Sequence, residues 1–205
     1  MIAVVDYGAG NLCSVANALS AIGARYTVVS SAAGIEDASK VILPGVGHFG
    51  QIARELDAIS LRDTISLRAA ILQHIAADKM FLGVCLGMQV LFASSDEAVA
   101  SVGLGLLPGV VTKFAAPQRV PHMGWNAVSR TSDSRLLHNV GDDENFYFAN
   151  SYFCPVTAAT TATTNHGLEF SSVVEVGNVF GVQFHPEKSG PAGLRVLENF
   201  AGLQC

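Results

Sequence analysis

The sequence predicts an α/β fold in three layers: a mostly parallel central sheet flanked by helices, with a smaller antiparallel sheet. Three observations predict it. The first half alternates short apolar runs with helix-period patterns across short loops, as βαβ units do. Half of the 205 residues are hydrophobic and only 14% are charged, which suits strands covered on both faces. Beyond residue 100 the texture changes to short strands and turns, the pattern of an antiparallel meander. The length suits one domain spanning residues 1–205, and neither a flexible linker nor an internal repeat divides it.

The elements follow in order. Residues 2–5 form a continuous apolar run, a first strand with no basic leader ahead of it. After the loop Asp6–Asn11, the residues Leu12, Val15, Ala16, Leu19 and Ile22 mark one helix face, ended by Gly23 at a left-handed cap. Tyr26–Ser30 and Lys40–Leu43 are the next strands, and helices are expected over 48–58 and 61–77. Met80–Cys85 is a short apolar strand, and an apolar helix is expected from Leu86 through Phe92 to a polar break at Ser94–Glu97. Strands are then expected at Leu106–Phe114, Gly124–Ser129, Phe146–Asn150, Val173–Val176 and Val179–Phe184. The Thr- and Ala-rich stretch 157–164 is β-prone without a clear pattern, and a last helix is expected over 191–202.

Composition removes several classes of function. The net charge is −5 and no run or face concentrates Lys and Arg, so no nucleic-acid partner is expected. No segment is long and apolar enough to span a bilayer, so no membrane partner is expected either. Cys13, Cys85, Cys154 and Cys205 are scattered without C-x-x-C spacing, which fits neither a disulfide framework nor a zinc site. The expected setting is a reducing cytoplasm, with no metal. Gly45, Gly47 and Gly50 match G-x-G-x-x-G, but a dinucleotide site needs an acid about 20 residues further on. That position falls on Ala69 and Ala70, so no cofactor is expected.

The centre of the chemistry is Gly83-Val84-Cys85-Leu86-Gly87. This is the cysteine form of a nucleophile elbow, in which a strand turns sharply into a helix. The thiol would sit at the helix N-terminus, where unpaired N–H groups and the dipole favour thiolate. Pro44-Gly45-Val46-Gly47 follows a neighbouring strand, and its glycines would let a backbone N–H face an oxyanion. A tight turn capping the next helix explains the same residues. Among six histidines, His185 stands out because it ends an apolar strand and precedes Pro186, which keeps it extended. Glu187 is placed to hold one imidazole nitrogen while the other faces Cys85, completing a nucleophile, base and orienting acid.

The blocks Gly83–Gln89 and His185-Pro186-Glu187 resemble the two active-site blocks of class I, triad-type glutamine amidotransferases. Asp6–Leu12, Pro44–Gly47, Pro121-His122-Met123-Gly124-Trp125-Asn126 and His185–Ser189 further resemble the glutaminase subunits of imidazole glycerol phosphate synthase. The resemblance runs from the first strand to the last helix. It implies that Cys85 attacks the side-chain amide of L-glutamine, with His185 as base and acid and Glu187 orienting it. It also implies an oxyanion hole from Leu86 with Val46 and Gly47, and substrate binding by Gly45, Gln89, Glu97, Ser151 and Tyr152. The implied partner is a (β/α)8-barrel cyclase subunit forming a heterodimer, with Asn11, Trp125 and Lys188 on the contact face. Trp125 in a buried core is the alternative. Two departures stand out: Asn150 lies where a histidine is usual, and Gly190 replaces a larger or polar residue. The rivals are another amidotransferase subunit, a stand-alone γ-glutamyl hydrolase, and a catalytically silent regulatory subunit.

Overall fold

The computed structural model describes residues 1–58 and 63–204. It begins β1 (Ile2–Val5), α1 (Leu12–Ala21), β2 (Tyr26–Val29), α2 (Ala32–Glu36), β3 (Lys40–Gly45), α3 (Phe49–Asp57), α4 (Leu67–Ala76) and β4 (Met80–Cys85). It continues α5 (Leu86–Gln89), β5 (Phe92–Ser95), β6 (Leu107–Lys113), β7 (His122–Arg130), β8 (Glu144–Asn150) and β9 (Tyr152–Phe153). The chain closes with β10 (Thr160–Asn165), β11 (Glu169–Val176), β12 (Val179–Val182), a 3₁₀ turn (Pro186–Lys188) and α6 (Gly190–Gly202). Among the described residues no helix is long and apolar enough to cross a membrane.

The large sheet has nine strands in the order β2-β1-β3-β4-β12-β11-β10-β7-β8. Its first five strands pair in parallel. From β12 onward every pairing is antiparallel. Strand β12 is therefore the seam, parallel to β4 on one side and antiparallel to β11 on the other. A smaller sheet of three strands, β5-β6-β9, stands apart, and its pairing is mixed.

Alternation along the parallel strands builds the three layers. Ala3, Val5, Val41, Leu43 and Phe81 face one core, completed by Ile35 of α2, Phe49 and Ile52 of α3, and Ile71 of α4. Ile2, Val4, Ile42, Leu82 and Val84 face the other, completed by Val15 and Leu19 of α1 and Val196 and Phe200 of α6. Because both faces are covered, β1, β3, β4 and β12 are buried at every residue and, Lys40 apart, read as apolar runs.

The structure departs from the expected elements in several places. The elbow helix stops at Gln89, and Phe92–Ser95 is a strand of the small sheet. The reason is local: the carbonyls of Val90, Leu91 and Ala93 accept from Leu104, Leu106, Leu107 and Gly103, at 2.6 to 3.0 Å, so they cannot propagate a helix. Helix α4 starts at Leu67, where the Ser66 hydroxyl caps the Ala69 N–H at 3.2 Å; the expected start at residue 61 lies outside the described residues. Stretch 157–164 yields β10, a strand that buries Thr161, Ala162, Thr163 and Thr164 in succession. Its pattern was hidden because threonine reads as polar but packs as a small β-branched residue. Finally, the short helix α2 and strand β9 carry too few residues for any period to show.

Candidate active site

Cys85 ends β4 in a conformation few side chains adopt, with φ 54° and ψ −108°. The strain holds because the backbone around it is over-determined. A Cβ on Gly87 would collide with the Leu43 carbonyl oxygen, and one on Gly83 with the Gly87 carbonyl. A Cβ on Gly45 would lie 2.6 Å from the Gly87 nitrogen. Three glycines thus let β3, β4 and α5 touch backbone to backbone, which fixes the direction of the thiol. Helix α5 is only four residues long, so the expected helix dipole reduces to the N–H groups of a single turn.

His185 follows the neighbouring strand β12 across the parallel pairing of Val182 with Val84. Its N–H donates to the Tyr147 carbonyl at 2.9 Å, and its own carbonyl accepts from Ser189 Oγ at 2.6 Å. Ser189 Oγ in turn accepts from the Tyr147 N–H at 2.9 Å, so strand β8 clamps the turn that carries the imidazole. Nδ1 meets Glu187 Oε1 at 2.9 Å, which leaves Nε2 for the hydrogen bond with Cys85. Both His185 and Glu187 side chains are almost fully buried. Burial alone would lower the His185 pKa. The negative charge and hydrogen bond of Cys85, reinforced by Glu187, outweigh it and raise the value to about 10. The imidazole is therefore held as imidazolium beside the sulfur at neutral pH.

A cavity of about 260 Å³ opens over this pair. It is lined by ten residues singled out from the sequence: Val46, Gly47, Cys85, Leu86, Gln89, Glu97, Ser151, Tyr152, His185 and Lys188. Ala149 and Asn150 complete the lining. A larger cleft of about 650 Å³, lined by Arg130, Ser134, Arg135, His138 and Glu175 among others, lies apart from Cys85 and has no cysteine in its wall. Gln89 donates through Nε2 to the Tyr152 carbonyl at 3.0 Å and to Gln183 Oε1 at 3.1 Å. Both its N–H bonds are committed, so only its carbonyl oxygen is left to offer a ligand. Glu97 accepts from the Phe49 N–H at 2.7 Å and brings a carboxylate to the same wall.

The Val46–Gly47 turn is arranged differently from the elbow. Gly47 takes φ +103°, with only Gln51 near where a Cβ would be. The Val46 N–H donates to the Tyr7 hydroxyl at 3.3 Å, and that hydroxyl lies 3.4 Å from the Val46 carbonyl. Burial pushes the Tyr7 pKa up to about 12, so the phenol stays neutral and serves as both donor and acceptor.

Four singled-out residues lie outside the cavity wall. Glu187 stands behind His185, and Gly45 lies under the elbow. Asn11 caps α1, its Oδ1 accepting from the Ser14 N–H at 3.4 Å. Trp125 is 58% exposed rather than buried in the core, and its neighbour Met123 is equally open to solvent. Of the two departures, Asn150 is buried and donates to the Tyr152 carbonyl at 2.9 Å. Gly190 takes φ +58° where α6 begins, a conformation glycine adopts freely. Sequence reasoning gave no role to Tyr7, Ser189 or Gln183. Gln183 left one signal: it is the only polar residue in the run Val179–Phe184.

Comparison with known proteins agrees with the fold and gives the family. A family model described as glutamine amidotransferase class-I matches residues 3–202. The imidazole glycerol phosphate synthase subunit HisH of Methanothermobacter thermautotrophicus is 45% identical over 204 residues, covering 99% of this chain and 98% of that protein. The subunit of the same name from Bacillus cytotoxicus is 42% identical over 206 residues, covering 99% of this chain and 95% of its own length. A crystal structure of a glutamine amidotransferase superposes with a TM-score of 0.76 at 17% identity, covering 99% of this chain and all of that one, which speaks for the fold. The chain belongs to the class-I glutamine amidotransferases and, within them, to the HisH subunits of imidazole glycerol phosphate synthase.

Proposed function

We propose that the chain, acting as one domain over residues 1–205, hydrolyses L-glutamine to glutamate and delivers the ammonia to a cyclase subunit of imidazole glycerol phosphate synthase. The observation that carries this reading is the strained Cys85, hydrogen-bonded to a His185–Glu187 pair at the floor of a cavity sized for an amino acid. The Cys85 thiolate attacks the side-chain amide carbon, and the carbonyl π electrons move onto oxygen. The N–H of Leu86 is positioned to hold that oxyanion. Val46 can add its N–H only after the peptide turns away from Tyr7, which suits an enzyme that idles until its partner docks. Collapse of the adduct breaks the C–N bond, and the proton on His185 leaves with ammonia, giving a γ-glutamyl thioester. Water then gives a proton to His185 and attacks the thioester, which frees glutamate and restores the thiolate.

Substrate orientation follows from the polar wall. Glu97 and the Gln89 carbonyl oxygen attract an α-ammonium group, and the Ser151–Tyr152 backbone flanks the other side. Ammonia released into water would become ammonium and lose its nucleophilic electron pair, so a closed route into a second subunit has a chemical reason. Exposed Trp125 and Met123, with Lys188 exposed at the cavity, support that face as the docking surface. The partner's form as a (β/α)8 barrel and the heterodimer belong to the same proposal.

The test measures ammonia release by the chain alone, with the cyclase, and with the cyclase and its nucleotide. Turnover is expected to rise strongly at the last step, and Cys85→Ser is expected to lose at least about 10³-fold. Labelling by an electrophilic glutamine analogue should also disappear in that variant. High turnover by the isolated chain would favour a stand-alone hydrolase. Unchanged ammonia release by Cys85→Ser would sink the reading.

A further inference from the structure

The geometry points to Gln183 as a further catalytic residue, donating through its amide Nε2 to Cys85 Sγ and tying the nucleophile to Gln89 in the substrate wall. The inference rests on the nucleophilic role of Cys85 proposed above. Gln183 is fully buried just past the end of β12, where its backbone N–H is bound to the Ser172 carbonyl at 2.9 Å. Among the described residues its side chain has three hydrogen-bond partners: Cys85 Sγ at 3.6 Å from Nε2, Gln89 Nε2 at 3.1 Å from Oε1, and Cys154 Sγ at 3.8 Å from Oε1.

The orientation of this amide follows from a chain of obligate roles. The Tyr152 carbonyl can only accept, so the Gln89 group beside it, at 3.0 Å, is the NH₂. That same NH₂ reaches Gln183, so the Gln183 atom it meets is the oxygen. Cys154 agrees: burial, with the nearby Cys85 charge, pushes its pKa far above the ordinary thiol range, so it keeps its S–H and donates to the same oxygen. With Oε1 held by two donors, the Gln183 NH₂ has one direction left, toward Cys85.

The consequence is a charge-assisted N–H···S bond that exists in full only while the sulfur is anionic. It favours the thiolate in the resting enzyme and again when the thioester breaks and the thiolate leaves. It also couples the nucleophile to the substrate grip, because Gln89 cannot turn without freeing Gln183.

The test compares Gln183→Met, which keeps length and apolar volume but has no donor, with Cys154→Ala and Cys154→Ser. Alkylation of Cys85 by iodoacetamide is followed across pH by mass spectrometry of its peptide, on the full chain alone and with its partner. Gln183→Met should raise the pH of half-maximal alkylation by about one unit and slow alkylation about tenfold at pH values well below the parent's midpoint. Glutamine turnover should fall by a similar factor. Cys154→Ala, which removes one of the two donors on Oε1, should move the profile the same way by less, and Cys154→Ser should leave it in place. A folded Gln183→Met whose alkylation profile matches the parent's would overturn the assignment, whatever its turnover. Should Gln183→Met not fold, Cys154→Ala and Cys154→Ser decide, and equal profiles for both overturn it. Alkylation needs no glutamine, so failure of the glutaminase reading and failure of the Gln183 role give different results.

Discussion

The two halves of the large sheet hold their parts by different means. In the parallel half, β1, β3, β4 and β12 are buried throughout, and Lys40 is the one buried polar side chain they carry. Its ammonium is spent on C-terminal carbonyls, including that of Phe200 at 3.1 Å. In the antiparallel half, β7, β8, β10 and β11 bury His122, Asn150, three threonines and two serines. The first half positions atoms by excluding alternatives sterically, and the second by satisfying polar groups. The proposed catalytic pair straddles the difference. Cys85 is aimed by crowded glycines, whereas the turn bearing His185 leans on hydrogen bonds to β8.

The sharpest way to break this comparison is one substitution made on both sides. Gly87→Ala would drive a Cβ into the Leu43 carbonyl, a backbone atom that cannot swing aside. A loss of roughly 4 kcal/mol or more in urea unfolding is expected, at the severe end for single substitutions. Gly124→Ala on β7 meets nothing within 4 Å and carries only the strain of φ +126°. It should cost about 1–2 kcal/mol. Equal losses at the two sites would show that the halves are not held differently.

Acid should act on the antiparallel half through His122. Its ring stacks on Phe148 at 4.8 Å and on His166 at 4.2 Å, and burial first, then the His166 charge, lowers its pKa to about 4. A histidine with a folded pKa below its unfolded value of about 6.5 contributes stability that is complete above pH 6.5. That contribution is lost as pH falls toward 4, because the unfolded chain binds the proton first. The shift corresponds to about 3 kcal/mol between the two limits. His122→Phe, which keeps an aromatic ring among Phe114, Phe148 and Phe170, should flatten the unfolding free energy over that window relative to the parent. Parallel curves for the two proteins would assign the acid sensitivity elsewhere.

The same contrast explains what could be read in advance. The parallel strands announced themselves because double burial leaves only apolar residues, and Gly83, Cys85 and Gly87 were legible because few other residues fit a strained elbow. His185 and Glu187 were legible by their place at a strand end. Strand β10 was not, since Thr163 and Thr164 are buried by pairing hydroxyls that no hydropathy pattern records. The end of α5 was hidden as well, because carbonyls that pair with residues 103–107 outrank a local helical preference. Gln183 stood out as a lone polar residue in an apolar run, but its partners needed the structure, because they come from α5, β4 and the residue following β9.

The smallest expected effect separates a satisfied polar group from an orphan within one strand. On β10, Thr164 Oγ1 donates to the Ala127 carbonyl at 2.8 Å and accepts from Ser172 at 2.6 Å. Thr161 Oγ1 is buried and has no hydrogen-bond partner among the described residues. Valine is nearly isosteric with threonine, so Thr→Val isolates the hydroxyl. At Thr164 the change strands a buried carbonyl and a serine, and should cost about 1–2 kcal/mol. At Thr161 it removes a group that was desolvated for no return, and should stabilise by about 1 kcal/mol. Opposite signs in the two urea titrations would confirm that the polar half is held bond by bond. Losses at both sites would mean that Thr161 has a partner in solution, and that its strand is as fully satisfied as the parallel half is fully packed.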